Sequence, residues 1–251
     1  MVQIICAFGL LISAIIAVWQ YWLNRQTEKE RYIFEKKAQA IKLSEYYKDN
    51  ILKDYVAIKY VLEKSGLLQI LEKIDKQKMQ NFDCAELNTL LSVSDQKTLD
   101  EIKNSKKFVK TLIEANEAYD LGFDNCGLKI NLDDDTNNNI ESNPIYIRIT
   151  RQFMSGKVQR TLNNMEFFAM HFDKNHEIAD ENVVFPSLHQ TYLEMIQMLY
   201  WVIAKQNDKP HAKFYTNVIR LYQLWYNKRK DIDDTVLKTE RSCCNTGAES
   251  K

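Results

Sequence analysis

The stretch 26-QTEKERYIFEKKAQAIKLSEYYKDNILKDYVAIKYVLEK-64 decides the fold class, because it contains neither glycine nor proline. Its apolar residues recur every three or four positions, which places them along one face of a helix. Gly66 follows as a stop that favours the left-handed backbone. The stretch therefore predicts a long amphipathic helix, whose apolar stripe consists of Ala40, Leu43, Tyr47, Ile51, Tyr55, Ile58 and Leu62.

The rest of the chain repeats this helical spacing. Six glycines and three prolines are few for 251 residues, and no long run alternates with the period of two that a strand requires. We expect an all-α fold, in which an N-terminal transmembrane helix continues into a long helix and then into a multi-helix cytoplasmic bundle. The bundle would occupy residues 25–230, with a polar acidic loop at 131–143 and a flexible C-terminal tail at 231–251.

The N-terminal residues predict a membrane anchor at residues 1–24. The run from Val2 to Leu23 is uncharged and mostly apolar, and a spanning helix needs ~20 such residues. Trp19, Tyr21 and Trp22 cluster at its end, where aromatic rings prefer the headgroup region. A cleaved signal peptide is the main alternative, but no basic residue precedes the run and no small-residue cleavage site ends it. A core helix, the third alternative, would have to be buried on every side.

Charges after the apolar run predict its orientation. Five cations follow it closely, and positive charge remains on the cytoplasmic side of a bilayer. We therefore expect a single-pass protein of the inner membrane, with the N-terminus outside, the helical domain in the cytoplasm and the lipid bilayer as a partner. The five cysteines agree with a reducing compartment, since they are odd in number and lack framework spacing. The cations are Arg25, Lys29, Arg31, Lys36 and Lys37.

Several functional classes are disfavoured by the composition and motifs. Basic and acidic residues number 34 each, and this balance gives no reason to expect nucleic acid as a partner. The acidic loop fits no register of a calcium-binding EF-hand loop. Phosphate-binding glycine loops, the Gly-x-Ser-x-Gly elbow, Cys-x-x-Cys and His-Glu-x-x-His are absent from the sequence. We therefore predict no catalytic residue, no cofactor and no metal site.

Polar residues interrupt the apolar faces of the later helices. Buried polar groups must find partners, so these side chains predict a network between helices, either a structural one that fixes helix register or a recognition site. A hydrolase that uses the carboxylates of Glu166 and Asp180 is the enzymatic alternative. The predicted network contains Asn163, Glu166, Asp180, His189 and Asn217.

The apolar stripe of the long helix has two possible partners. It can pair with a second copy of the chain, as helices with an apolar seam do, or it can pack on its own domain. An assembly seam would contain Leu43, Tyr47, Ile51, Tyr55 and Ile58. The sequence leaves both interpretations open.

Four segments carry a family resemblance: 38-AQAIKLSEYYKDNIL-52, 162-LNNME-166, 178-IAD-180 and 215-YTNVIRLYQLW-225. The chain resembles an uncharacterised bacterial family of single-pass membrane-anchored proteins with a helical cytoplasmic domain. Members of this family are often encoded near phage-defence genes, so the resemblance implies a role in antiviral defence. We expect a non-enzymatic effector or adaptor whose helical domain binds an unknown protein partner or self-associates. A passive structural protein is a third interpretation, beside the hydrolase.

Overall fold

The computed structural model describes residues 2–122, 144–172, 178–208 and 213–246. Within α1 and at the end of α10, side chains are described for Ser13, for residues 15–47 and for residues 216–235. The predicted acidic loop at 131–143 lies outside the described residues.

The described chain is helical and contains no strand, which confirms the all-α prediction. Ten α-helices are present in these ranges, together with two π-helical segments and one 3₁₀ turn at Lys76–Lys78. The π segments are Lys48–Leu52, between α1 and α2, and Gln152–Val158, between α7 and α8. The α-helices are α1 Val2–Tyr47, α2 Lys53–Ser65, α3 Leu67–Leu71, α4 Cys84–Leu90, α5 Val93–Lys103, α6 Lys106–Tyr119, α7 Pro144–Arg151, α8 Gln159–Met170, α9 Glu181–Gln206 and α10 Thr216–Thr246.

The helix ends follow local sequence signals. Gly66 ends α2 with φ 92°, a left-handed conformation that glycine adopts without steric cost. Side-chain caps begin the helices that follow, because Ser and Asp oxygens accept the unsatisfied N–H groups of a first turn. Asp83 caps α4, and Ser92 caps α5. The predicted tail at 231–251 is helical as far as Thr246, where α10 ends.

The core centres on α9, which packs against α1, α3, α4 and α10. Its middle and C-terminal turns are almost wholly buried. An aromatic cluster joins four helices here, α1, α8, α9 and α10: the Tyr192 ring lies 5.0 Å from that of Trp225, and the Phe168 ring lies 5.0 Å from that of Tyr47. This packing makes the bundle one continuous hydrophobic core.

The predicted assembly seam is part of this core. Leu43, Tyr47, Ile51, Tyr55 and Ile58 are all buried within their own chain. No face of this stripe is available to a second copy, so the structure replaces the assembly interpretation with packing on the same domain. The π segment Lys48–Leu52 interrupts the single helix predicted over 26–64.

No described helix combines the length and the apolar character that a bilayer crossing needs. This finding contradicts the predicted inner-membrane location, with its outward N-terminus, cytoplasmic domain and bilayer partner. The side chains of residues 1–12 and 14, the remainder of the predicted anchor, lie outside the described residues.

Residues 15–35 of α1 do not pack into the bundle. The described side chains between Ser13 and Glu35 are exposed, and among the described side chains of α1 the first buried one is Ala40. A 46-residue helix is about 70 Å long at ~1.5 Å per residue. We call residues 15–35 of α1 the arm.

Candidate functional site

Glu166 is the centre of the predicted polar network, and its carboxylate caps a neighbouring helix. It lies on α8 and accepts the backbone N–H groups of Asn217 at 3.2 Å and Val218 at 2.9 Å. The side-chain amide of Asn217 donates to the same carboxylate at 2.7 Å. The first N–H groups of a helix have no partner within it, so Glu166 completes the first turn of α10.

Asn163 joins this network one turn earlier on α8. Its side-chain oxygen accepts the Tyr215 hydroxyl at 3.5 Å, and the Gln159 amide also donates to that hydroxyl. Tyr215 has φ 59°, in the left-handed region that a tyrosine rarely adopts. The α8 side chains therefore hold the strained residue that precedes α10, and burial raises the pKa of the Tyr215 hydroxyl.

Asp180 and His189 lie apart from this group. Asp180 caps α9 by accepting the backbone N–H of Asn182 at 3.0 Å. His189 is hydrogen-bonded through Nδ1 to the Phe185 carbonyl at 2.7 Å, and its ring stacks on Phe185. The structure thus brings together three of the five predicted network residues, and each carboxylate of the predicted hydrolase serves a different helix end.

A buried ion pair connects the two π-helical regions. Lys157 Nζ lies 2.7 Å from Asp54 Oδ1, and both side chains are almost entirely buried. Thr161 donates to the second Asp54 oxygen at 3.1 Å. Sequence reasoning missed this pair, although Asp54 falls on the buried face between Ile51 and Ile58. A charged residue inside an apolar stripe was the available signal.

Glu86 forms a second buried carboxylate site that sequence reasoning missed. Its oxygens accept the backbone N–H groups of Gln80, Asn81 and Phe82 at 2.7–2.9 Å and the Tyr200 hydroxyl at 2.6 Å. Burial, together with the nearby Glu86 carboxylate, raises the pKa of Tyr200 well above its ordinary value. The capping-box spacing from Asp83 to Glu86 was the available signal.

A cleft of about 480 Å³ lies beside α7. Among the described residues, its lining contains two cations, several hydroxyl groups and apolar side chains, but no carboxylate. The contributors are Lys103 and Asn104 at the end of α5, Val109 on α6, and Tyr146, Ile147, Thr150, Arg151, Met154 and Ser155 on α7 and the π segment.

A second cleft, of about 360 Å³, contains a contiguous Tyr–Lys–Glu group. Tyr55 donates to Glu194 at 2.9 Å and accepts from Lys59 at 3.3 Å. Burial and the hydrogen bond to Glu194 raise the pKa of the Tyr55 hydroxyl, so at neutral pH it remains a proton donor. In the described ranges, no group of three His, Cys, Asp or Glu side chains is arranged to hold a metal ion.

Comparison with known proteins returns no relative: no family profile, curated protein or solved structure matches the chain. The family resemblance and the defence role that it implies therefore stay predictions.

Proposed function

We propose that this chain is a non-enzymatic helical adaptor that self-associates through the arm. One observation carries the proposal: Ile15, Val18, Trp19, Trp22 and Leu23 are between 41% and 69% exposed. Single exposed apolar residues are common on any protein. A contiguous apolar patch on an extended helix marks an interaction surface.

The exposed side chains of the arm form one stripe. Ile15, Val18, Trp19, Trp22 and Leu23 occupy positions i, i+3, i+4, i+7 and i+8 of a continuous α-helix. This is the spacing with which helices pair along an apolar seam. The apolar seam for helix pairing that was predicted on the buried stripe of residues 43–58 is thus present on the arm, where its side chains are exposed.

The exposed aromatic side chains of the arm are not confined to the stripe. Five aromatic side chains on it are between 57% and 72% exposed: Trp19, Tyr21, Trp22, Tyr32 and Phe34. Trp19 and Trp22 lie on the stripe, whereas Tyr21 and Tyr32 lie roughly 100° or more around the helix from it, at 3.6 residues per turn. Exposed aromatic surface thus surrounds the arm, and more than one neighbouring helix can pack against it.

Charge also favours a second copy over a strongly charged partner. Residues 25–37 contain five basic and three acidic side chains in mixed order, and one pair, Arg31 and Glu35, is bonded within the arm at 2.8 Å. Because the two signs are interspersed, two identical arms can lie side by side without facing blocks of like charge.

The positions of Glu166 and Asp180 support an adaptor over the hydrolase. A catalytic carboxylate pair must flank one substrate bond, whereas these two accept hydrogen bonds at the starts of two different helices. The defence role stays a prediction, because the comparisons neither support nor oppose it.

Sedimentation equilibrium of the full chain in lipid-free buffer tests the proposal. We expect the unmodified chain to sediment as a dimer or larger assembly, and the Trp19→Gln Trp22→Gln variant to sediment as a monomer with an unchanged circular dichroism spectrum. Val93→Gln is the matched control, since Val93 is 84% exposed on α5, away from the arm; it should still associate.

Two results would overturn self-association through the arm. One is an unmodified chain that remains monomeric at tens of micromolar, including one that instead binds lipid vesicles as a monomer. The other is a double variant that associates as strongly as the unmodified chain.

A further inference from the structure

Two segments beside the α7 cleft carry only positive charge. Residues 103–110 contain four lysines, and residues 144–160 contain three arginines and one lysine, without a single Asp or Glu in either segment. Helices α6 and α7 pack against each other, so the two basic segments are neighbours in the fold. The total charge of the chain, which is zero, does not reveal this local excess of positive charge.

The two cations that line the cleft differ in whether a carboxylate pairs with them. Lys103 is already paired, with Nζ 3.0 Å from Asp100 Oδ1. Arg151 is exposed, and in the described part of the chain no carboxylate pairs with its guanidinium. A guanidinium presents a planar fork of donors that matches carboxylate and phosphate groups. Arg151 is therefore the group in the cleft that is available to an anion.

The remainder of the lining is amphipathic. Thr150 and Ser155 bring hydroxyl groups into the same cleft, and Ile147 and Met154 bring apolar surface. Behind it, the rings of Phe108 and Phe153 meet edge to face at 6.1 Å. A volume of about 480 Å³ falls within the range of small-molecule sites and is too small for a folded partner.

We propose that this cleft binds a small amphipathic anion, in which a carboxylate or phosphate group is joined to an apolar body. The anionic group bonds to Arg151 and the neighbouring hydroxyls, and the apolar body covers Ile147 and Met154. This site is independent of the arm, so its test does not depend on self-association.

Isothermal titration of the full chain with three probes of equal chain length tests the site. The probes are octanoate, octyl phosphate and octanol, which distinguish a carboxylate, a phosphate and the apolar body alone. We expect at least one of the two anions to bind at least tenfold more tightly than octanol. Raising the salt concentration should lower the affinity for the anion, because salt screens the interaction between exposed charges.

Variants of two arginines on α7 separate contact from general attraction. Arg151→Met keeps the apolar stem and removes the charge, so it should lower the affinity for the anion at least tenfold. Arg151→Lys should retain part of that affinity. Arg148→Met is the matched control, because Arg148 is exposed on the same helix but does not line the cleft. It should change the affinity less than threefold.

Each contrary result overturns the proposal. Neither anion binding at millimolar concentration would remove the site. Equal losses in Arg148→Met and Arg151→Met would show attraction to a basic surface rather than a site. Octanol binding as tightly as the anions would leave only an apolar crevice.

Discussion

Glu166 stabilises a helix to which it does not belong. It lies on α8, yet it accepts two backbone N–H groups from the first turn of α10. At the scale of single residues, Asp83 and Asp180 serve the same purpose for α4 and α9, and Glu86 binds three N–H groups of the loop before α4. Carboxylates in this chain thus accept hydrogen bonds from backbone N–H groups that would otherwise lack a partner.

Glu166→Gln should lower the free energy of unfolding by about 1 kcal/mol, because partly buried N–H donors lose a hydrogen-bond acceptor. Glutamine keeps one acceptor oxygen but turns an NH₂ donor toward N–H groups that are also donors. Urea denaturation followed by circular dichroism measures the loss. Glu117→Gln, an exposed change on α6, is the control. Equal stability of the two variants would show that the cap contributes nothing.

Asp100 should make stability dependent on pH. Burial alone would raise the pKa of its carboxyl, but hydrogen bonds from Lys103 and Lys205 outweigh burial and hold the pKa below the ordinary value of 3.8. A carboxyl whose pKa is lower in the folded state stabilises the protein above its unfolded pKa. That contribution is lost as the pH falls through the folded pKa.

The stability difference between the unmodified chain and Asp100→Asn should therefore be large well above the ordinary carboxyl pKa of 3.8 and shrink as the pH falls below it. Urea denaturation at a series of pH values measures it. In a Lys103→Met Lys205→Met background the dependence should disappear, because the cations that lower the pKa are gone. A difference that grows toward low pH would contradict the assignment.

At the scale of elements, the two π segments change how the long helices pack. A π turn frees a backbone carbonyl from the regular ladder, and Asn164 donates to the Asn50 carbonyl at 3.2 Å across the helix contact. Tyr46 donates to the Asn164 side chain in turn, also at 3.2 Å. The ion pair of Asp54 and Lys157 connects the start of α2, which follows the first π segment, with the second π segment.

Breaking that ion pair should be costly. Asp54→Ala leaves a buried lysine charge without a partner, a change that typically destabilises by about 3–5 kcal/mol. Asp54→Ala Lys157→Met removes both charges and should recover part of the loss, since the remaining site is apolar. Thermal unfolding of the two single variants and the double variant measures the coupling. Strictly additive losses would show that the pair does not act as a unit.

At the scale of the whole molecule, the spacing of apolar residues predicts the helices. It does not predict which surfaces are available for function. The stripe from Ala40 to Leu62 predicted a helix correctly, because a period of 3.6 is visible in sequence. Whether that stripe faces its own core or a second copy depends on where α8 and α9 pack, which no local pattern contains. The same limit explains Asp180 and His189, which share polarity with Glu166 but not its location.

The sequence predicted one feature that the structure contradicts, the anchor, and failed to predict another that it contains, the cleft. The apolar run before Arg25 predicted a bilayer span, whereas no described helix meets the requirement for one. The cleft was not predicted, because it needs α6 and α7 to be adjacent, and Lys103 and Arg151 are separated by a long stretch of chain. Total charge and linear spacing cannot report such a juxtaposition.

The central claim is that the arm is a surface that a second copy covers. Hydrogen exchange of the full chain at increasing protein concentration tests it most directly, because an isolated helical extension is only marginally stable in water. We predict fast exchange of the amides in residues 15–35 at low concentration and marked slowing at high concentration. The bundle amides, as internal control, should not change. Arm exchange that stays independent of concentration up to about 100 µM, or that slows equally in the Trp19→Gln Trp22→Gln variant, would contradict the account.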